Sequence, residues 1–536
     1  MHLNTNLDDM PPPINLSLEQ YTGNFGAAEA SHLVRRTTFV HSVERRNEAI
    51  GLGLSATVEK LLEVQPLPEP PLNFRRNDTT VPYGETWVNE LFNILAVGPR
   101  ANSLLGWSVE QMAHPQLNIR EKMVLFWHNH FAISDIGDPH FIYAYSNTLR
   151  THALGNFKEL VKSITIDPSM LRFLNGNQNA VGRPNENYAR ELLELFTIGK
   201  GPIAGPGDYT NYTEDDILEV ARVLTGWRDV GYRGQLFQPV GSTFIPFRHD
   251  KGDKQLSHRF DNAIISNNDA IEYRDLIDVI FLQDEIARFI CRKLYRYFIY
   301  YDISADIETS IIEPLAQTFV NANYDVIPVL RQLLNSQHFF DAELRGCQIK
   351  NPYEFILPLL SSLNINTPTQ LTERYEFNVS LFTGAALLDM ILFDIPQVAG
   401  WKAYYQTPVY YRYWINNVTL GLRSQIVDLA LLLGFNTSGG RVTPDLLTFV
   451  ATLPDPSDPN DLIRDSSRIL YTNGITDEQV DLFKSILIPG LPDFEWTDEY
   501  NLYLSDPDNE AVRNAVLARL GLMYQRMLNS PDFQLQ

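Results

Sequence analysis

The sequence predicts a mainly α protein, a large multi-helix globular array with one long irregular excursion at about residues 228–260 that holds a β-hairpin. Three observations lead there. Side-chain caps stand before amphipathic runs at many points, glycine and proline crowd into the excursion, and the last stretch of the chain carries an apolar stripe at helical spacing.

A helix leaves the amide hydrogens of its first turn unsatisfied, so an oxygen-bearing side chain just ahead of an apolar run marks a start. Asp167-Pro168, Asn351-Pro352 and Thr443-Pro444 each combine such a cap with proline at the first helical position, where the missing N–H is no loss. Thr213 with Asp216, and Thr476 with Gln479, have the spacing of a capping box, and Ile475 with Val480 can staple the second from outside. Within 228–260, Gly231, Gly234, Pro239, Gly241 and Pro246 interrupt short β-prone pieces such as Ser242-Thr243-Phe244-Ile245. Residues 67–83 and 454–461 read as loops. The second holds Asp455, Asp458, Asn460 and Asp461 but has no central glycine and no glutamate at its twelfth place, so it is not an EF-hand. In residues 508–529, Val512, Val516, Leu520, Met523 and Met527 form the stripe that docks a terminal helix. No repeat of fixed period appears, which argues against a solenoid. The expected organisation is an N-terminal extension (1–27), a principal helical domain (28–430) with the excursion, and a C-terminal helical subdomain (431–536) packed on it.

Composition narrows the function classes. Hydrophobic residues at 44% and aromatics at 11% are enough for a packed core, which excludes wholesale disorder. The 65 acidic against 43 basic side chains give a net charge of -22, which repels phosphate backbones and anionic lipid, so nucleic acid is excluded as a first partner. The two cysteines, Cys291 and Cys347, sit in apolar stretches and read as buried core residues, not as a disulfide. The start, with Asp8, Asp9 and Pro11-Pro12-Pro13, has no signal-peptide pattern, and Arg35-Arg36 is followed by residues too charged for an export signal. A cytoplasmic address is the default reading, and no run is long and apolar enough to span a membrane.

Several polar constellations could carry chemistry. His128 and His130, at the end of the apolar segment 120–131, point apart on a helix but could share a divalent metal if the helix stops near Trp127. Otherwise they are core histidines bonded to carbonyls or carboxylates. In residues 184–196, Glu186, Arg190, Glu191 and Glu194 share a helix face with Asn187, either a solvated face or a buried seam able to do acid–base work. The loop 247–254 gathers His249, Asp250, Lys251, Asp253 and Lys254 around Gly252, either as metal ligand and base or as a charged turn. Arg35 and Arg36, and Arg288, Arg292, Lys293 and Arg296, are expected to pair with internal carboxylates such as those of the 186–194 face. An anion site is the sharper alternative. No phosphate loop, nucleophile elbow or zinc helix of the common kinds is present.

Taken in order, His32-Leu33-Val34-Arg35-Arg36-Thr37-Thr38-Phe39, the 120–131, 167–171 and 184–196 segments, Val223-Leu224-Thr225-Gly226-Trp227, His249-Asp250-Lys251-Gly252-Asp253-Lys254, the 289–298 segment, Lys350-Asn351-Pro352-Tyr353-Glu354-Phe355 and Pro396-Gln397-Val398-Ala399-Gly400-Trp401 resemble the bacterial domain of unknown function 1800. The resemblance implies a helical fold without an established activity. It also implies a co-encoded exported partner similar to the alkaline phosphatase superfamily, and a periplasmic address as the alternative. It assigns no residue roles.

The leading expectation is therefore an accessory protein that binds a ligand or partner, acting with a co-encoded hydrolase or on a glycan or other extracellular polymer. The alternative is a metal-dependent hydrolase or lyase in which His128, His130, Glu191, Glu194, His249 and Asp250 converge while Arg190 or Arg292 steadies an anionic intermediate. A third reading makes every polar motif internal bridging of a helical scaffold. Convergence of these segments in one concave pocket is what separates the readings.

Overall fold

The computed structural model describes residues 15–536 apart from Asn77, Pro115 and the side chain of Leu236. The acidic, proline-rich start from Asp8 to Pro13 lies outside the described residues. The chain is mainly helical, and the strands among the described residues form four two-stranded antiparallel ladders. One continuous apolar cluster runs from Ala30 and Leu33 near the start to Met523, Met527 and Phe533 near the end. No described helix is long and apolar enough to cross a membrane.

Most helix starts form where the caps are written. Asp167 accepts from Ser169 N and Met170 N ahead of Pro168–Phe173, and capping boxes close at Thr213/Asp216, Asn351/Glu354 and Thr476/Gln479. Thr443-Pro444 is an exception. The helix there is Leu446–Ala451, capped by Asp445, because Pro444 pairs as an extended residue with Ile365. The loop expected over 454–461 also ends early. Asp458 accepts from Asn460 N and Asp461 N, and Pro459 opens the helix Pro459–Leu470. The terminal helix Glu510–Leu528 buries Val516, Leu520, Met523 and Met527, while Val512 is half-buried in its first turn.

Close approach of backbones sets the scaffold around the sites. Helices Val97–Met112 and Leu371–Leu387 meet at Gly106, where an added Cβ would lie 3.2 Å from Tyr375 O. The Arg120–His130 helix runs through the centre, with Trp127 stacked on Phe157 at 5.2 Å and donating to Ala153 O at 3.1 Å. The C-terminal segment returns beside residues 348–350, where Lys350 N donates to Gln534 O at 2.8 Å and Gln536 N to Gln348 O at 2.8 Å. Both cysteines are free and buried.

The excursion contains the expected hairpin. Strands Trp227–Val230 and Gly241–Phe244 pair with Arg228 opposite Thr243 and Asp229 opposite Ser242. A second short ladder pairs Lys254–Gln255 with Ile264–Ile265.

Candidate functional site

The helix ending at His130 decides the phase of the two histidines. Since it continues past Trp127, the rings point to different neighbours, and the extended stretch needed for chelation does not form. Nε2 of His128 accepts from Phe393 N at 2.9 Å, so Nδ1 carries the proton and donates to Tyr145 Oη at 3.1 Å, and Tyr145 passes a hydrogen to Phe131 O at 2.6 Å. Burial, helped by the Arg150 charge, pushes His128 down to about 3. His130 Nε2 donates to Phe196 O at 3.0 Å, and its Nδ1 accepts from Lys293 Nζ at 3.0 Å. Burial and that ammonium hold His130 well below the usual imidazole range, and burial lowers Lys293 to about 7.

His249 is locked elsewhere. Its Nε2 lies 2.9 Å from Glu272 Oε2, its Nδ1 lies 2.9 Å from Thr225 O, and Lys254 Nζ lies 2.5 Å from Glu272 Oε1. All three charged or ionisable side chains are fully buried. Asp250 faces Arg222, with Nε donating to Oδ2 at 2.9 Å, and this guanidinium holds the carboxyl below its ordinary range. The 249–254 motif thus staples the excursion to the helices Glu214–Val223 and Glu272–Ile280. Among the described residues no group of three or more His, Cys, Asp or Glu side chains is arranged to hold a metal ion, so the expectation of a shared metal finds no donor set.

The 186–194 face is divided as well. The helix Glu186–Glu191 opens into a π-helical turn at Leu192–Thr197, which breaks the 100° phasing that put all the polar groups on one side. Arg190 grips Glu214 with both terminal nitrogens at 3.0 and 2.7 Å and stays 3.6 Å from Glu186. Glu194 accepts from Tyr212 at 2.9 Å. Glu191 has its carboxyl raised by partial burial and by the neighbouring Glu194 charge.

Arg292 does not reach this face. It binds Glu285 at 2.5 Å and Glu308 at 2.6 Å, and Arg288 lies near Glu285 and Glu313. Arg35 and Arg36 also differ from expectation, because they donate to the carbonyls of Ile469 and Leu344 instead of to carboxylates.

What the same motifs do bring together is a set of arginines at their edges. Arg183 precedes Pro184-Asn185-Glu186, Arg228 follows Thr225-Gly226-Trp227, and Arg248 precedes His249. All three line one open cleft of about 520 Å³ with Asn177, Asn185 and Glu186. Partial burial and then the charges of Arg228 and Arg183 lower Arg248, as expected of guanidiniums crowded together. No carboxylate of the described residues forms an ion pair with any of the three, while arginines elsewhere, such as Arg190, Arg222 and Arg292, are each paired.

The cleft is built from the backbone outward. Buried Asn179 donates to Ala221 O at 2.8 Å and accepts from Asn185 N at 2.9 Å, which fixes the 176–185 loop on the Glu214–Val223 helix. Asp229 binds Arg172 at 2.5 Å and Asn177 at 2.6 Å and so turns its strand neighbour Arg228 outward. Val181 N donates to Arg248 O at 2.7 Å. Gly226 sits at φ +96°, where a Cβ would meet the Phe244 ring at 2.9 Å and Ile245 O at 3.3 Å, so only glycine allows the hairpin to close there. Gly226→Ala is expected to destabilise the protein by about 1–3 kcal/mol and to loosen the cleft, read as a lower urea midpoint with faster amide exchange at 226–245. An unchanged midpoint would remove this role.

Sequence reasoning passed over the three arginines: Arg183 and Arg228 stand just outside the polar motifs, Arg248 lies inside the 247–254 loop without being singled out there, and the three are distant from one another along the chain. No curated protein and no solved structure matches the chain. The family model described as a protein of unknown function (DUF1800) matches residues 32–535. That match takes in the cleft and nearly the whole chain, and the protein therefore belongs to the DUF1800 family.

Proposed function

We propose that this is a non-catalytic binding protein whose arginine cleft takes a carboxylate-bearing polymer, an acidic glycan in particular. The observation that carries the reading is three guanidiniums facing one wide cleft with no carboxylate of the described residues paired to them, in a chain of net charge -22. Arginine's fork matches a carboxylate bidentately, so these groups suit repeated carboxylates better than a single cation or a neutral sugar. Phe247, 84% exposed beside Arg248, adds an apolar face of the sort a sugar ring covers. A purely structural scaffold accounts for Arg190, Arg222 and Arg292, each already bridged, whereas the only side-chain hydrogen bond of the three cleft arginines within the described residues is the 3.3 Å contact of Arg248 Nη2 with Gln178 O, and none of the three has a counter-charge there. A hydrolase or lyase reading needs a nucleophile, base or metal set beside the cleft, and among the described residues Glu186 is the one carboxylate lining it.

Calorimetric titration with trigalacturonate tests this. Wild type should bind it and ignore neutral maltotriose, and the triple variant Arg183→Ala, Arg228→Ala, Arg248→Ala should bind roughly a hundredfold more weakly while melting normally. Equal affinity in wild type and variant, or no binding at all, would overturn the proposal.

A further inference from the structure

The helix Phe494–Ser505, in the C-terminal part of the chain, is apolar on two opposite sides. At 100° per residue, Trp496, Thr497, Tyr500 and Tyr503 share one side, and Phe494, Asp498, Asn501 and Leu502 share the other. The first side is covered. Trp496 and Tyr500 are buried, Trp496 Nε1 donates to Pro456 O at 2.9 Å, and Thr497 Oγ1 donates to Ser457 O at 2.8 Å. At its edge Glu499 binds Arg519 of the terminal helix at 2.6 Å.

The second side is bare. Phe494 is 59% exposed and Leu502 53%, and Leu504, between the two sides, is 53% exposed as well. A surface helix ordinarily turns polar residues outward, whereas a helix apolar all round is one covered all round. Single exposed leucines are common on proteins, but here a phenylalanine and two leucines stand on one helix of twelve residues whose inner side is already full.

Charge selects what covers them. Residues 477–510 hold ten acidic side chains and one basic side chain, Lys484. Glu495 and Asp498 on the outer part of the helix, with Asp506, Asp508 and Glu510 just beyond it, form no ion pair among the described residues, whereas Glu499 at the covered edge does. A second copy of the chain brings the same net charge of -22, and anionic lipid is repelled in the same way. A neutral membrane would strip water from Glu495 and Asp498 and return no counter-charge. A cationic protein segment covers the apolar groups and faces the carboxylates together.

We propose that the outer side of this helix is a docking face for a lysine- or arginine-rich amphipathic helix of a partner protein. The apolar stripe of that helix would cover Phe494, Leu502 and Leu504, and its cations would flank the stripe opposite Glu495 and Asp498.

The probe is a helical peptide of leucine and lysine with its lysines along one side, titrated into the full chain and followed by fluorescence anisotropy. Wild type should bind it saturably, at least roughly tenfold tighter than a peptide of the same composition in scrambled order, with amide exchange slowed across residues 491–505. Phe494→Ser with Leu502→Ser should weaken binding at least roughly tenfold while melting as wild type does. Glu495→Lys with Asp498→Lys should lose the lysine peptide and gain its glutamate counterpart. Equal binding of ordered and scrambled peptides, protection that falls elsewhere, or affinity unaltered in both variants would overturn the proposal. A wild-type dimer in sedimentation equilibrium that the serine variant dissolves would overturn it in favour of a second copy. Binding to neutral phosphatidylcholine vesicles that the serine variant abolishes would overturn it in favour of a membrane.

Discussion

Glu272→Ala is expected to destabilise the protein by about 3–5 kcal/mol, because it strands two buried partners at once. Glu272, Lys254 and His249 are fully buried, with Lys254 Nζ 2.5 Å and His249 Nε2 2.9 Å from the carboxylate. Removing the carboxylate leaves an ammonium with no counter-charge in a dry site, which is far costlier than never having buried the pair. Replacing both ends with apolar groups of similar size, as in Glu272→Leu with Lys254→Met, should therefore recover most of the loss. Urea denaturation of the two variants decides the matter. A single-variant cost under about 1 kcal/mol, or a double variant worse than the single, would contradict the geometry.

The second large effect is acid sensitivity. His128 is held at about 3 by burial and by Arg150, and His130 and His41 are likewise pushed well below the imidazole range. Between about pH 6.5 and 3 the unfolded chain takes up protons that the folded chain refuses, so stability present at neutral pH is lost as the pH falls through that window. For His128 alone, the move from 6.5 to about 3 corresponds to roughly 5 kcal/mol at full protonation of the unfolded state.

Asp167 opposes this, since burial raises its carboxyl to about 7 and makes its protonated form the favoured one in the fold. Glu110 and Glu191, whose carboxyls burial also raises, act in the same sense, but the deeply buried imidazoles of His128, His130 and His41 set the net slope. Carboxyls lowered by arginine partners, such as Asp78 and Asp250, contribute only below the ordinary carboxylate range. The urea midpoint should accordingly drop between pH 7.5 and 5, and His128→Gln, although less stable at neutral pH, should show a shallower drop. Parallel profiles for the two proteins would contradict the assignment.

The helices were legible in the sequence because capping is local: Asp167, Thr213, Asn351 and Thr476 each act within three residues of themselves. Thr443 failed because a distant residue, Ile365, holds Pro444 extended, which no local pattern reveals. The hairpin followed from the glycines and prolines that bound it. The polar motifs were harder. The helical wheel drawn through Glu194 assumed regular phasing, and the π-helical turn at Leu192–Thr197 removes it. The pairings of Arg292 with Glu308 and of His249 with Glu272 are matters of tertiary placement. The cleft was least visible, since Arg183, Arg228 and Arg248 share no spacing and become neighbours only when Asn179, Asp229 and Gly226 fold three loops together.

Arginine-specific labelling with phenylglyoxal, read by mass spectrometry with and without trigalacturonate, tests the central claim most directly. Arg183, Arg228 and Arg248 should react in the free protein and lose reactivity together when the ligand is present, while exposed arginines away from the cleft, such as Arg441 and Arg513, keep theirs. Ligand-induced protection at other arginines with these three unchanged would contradict the account.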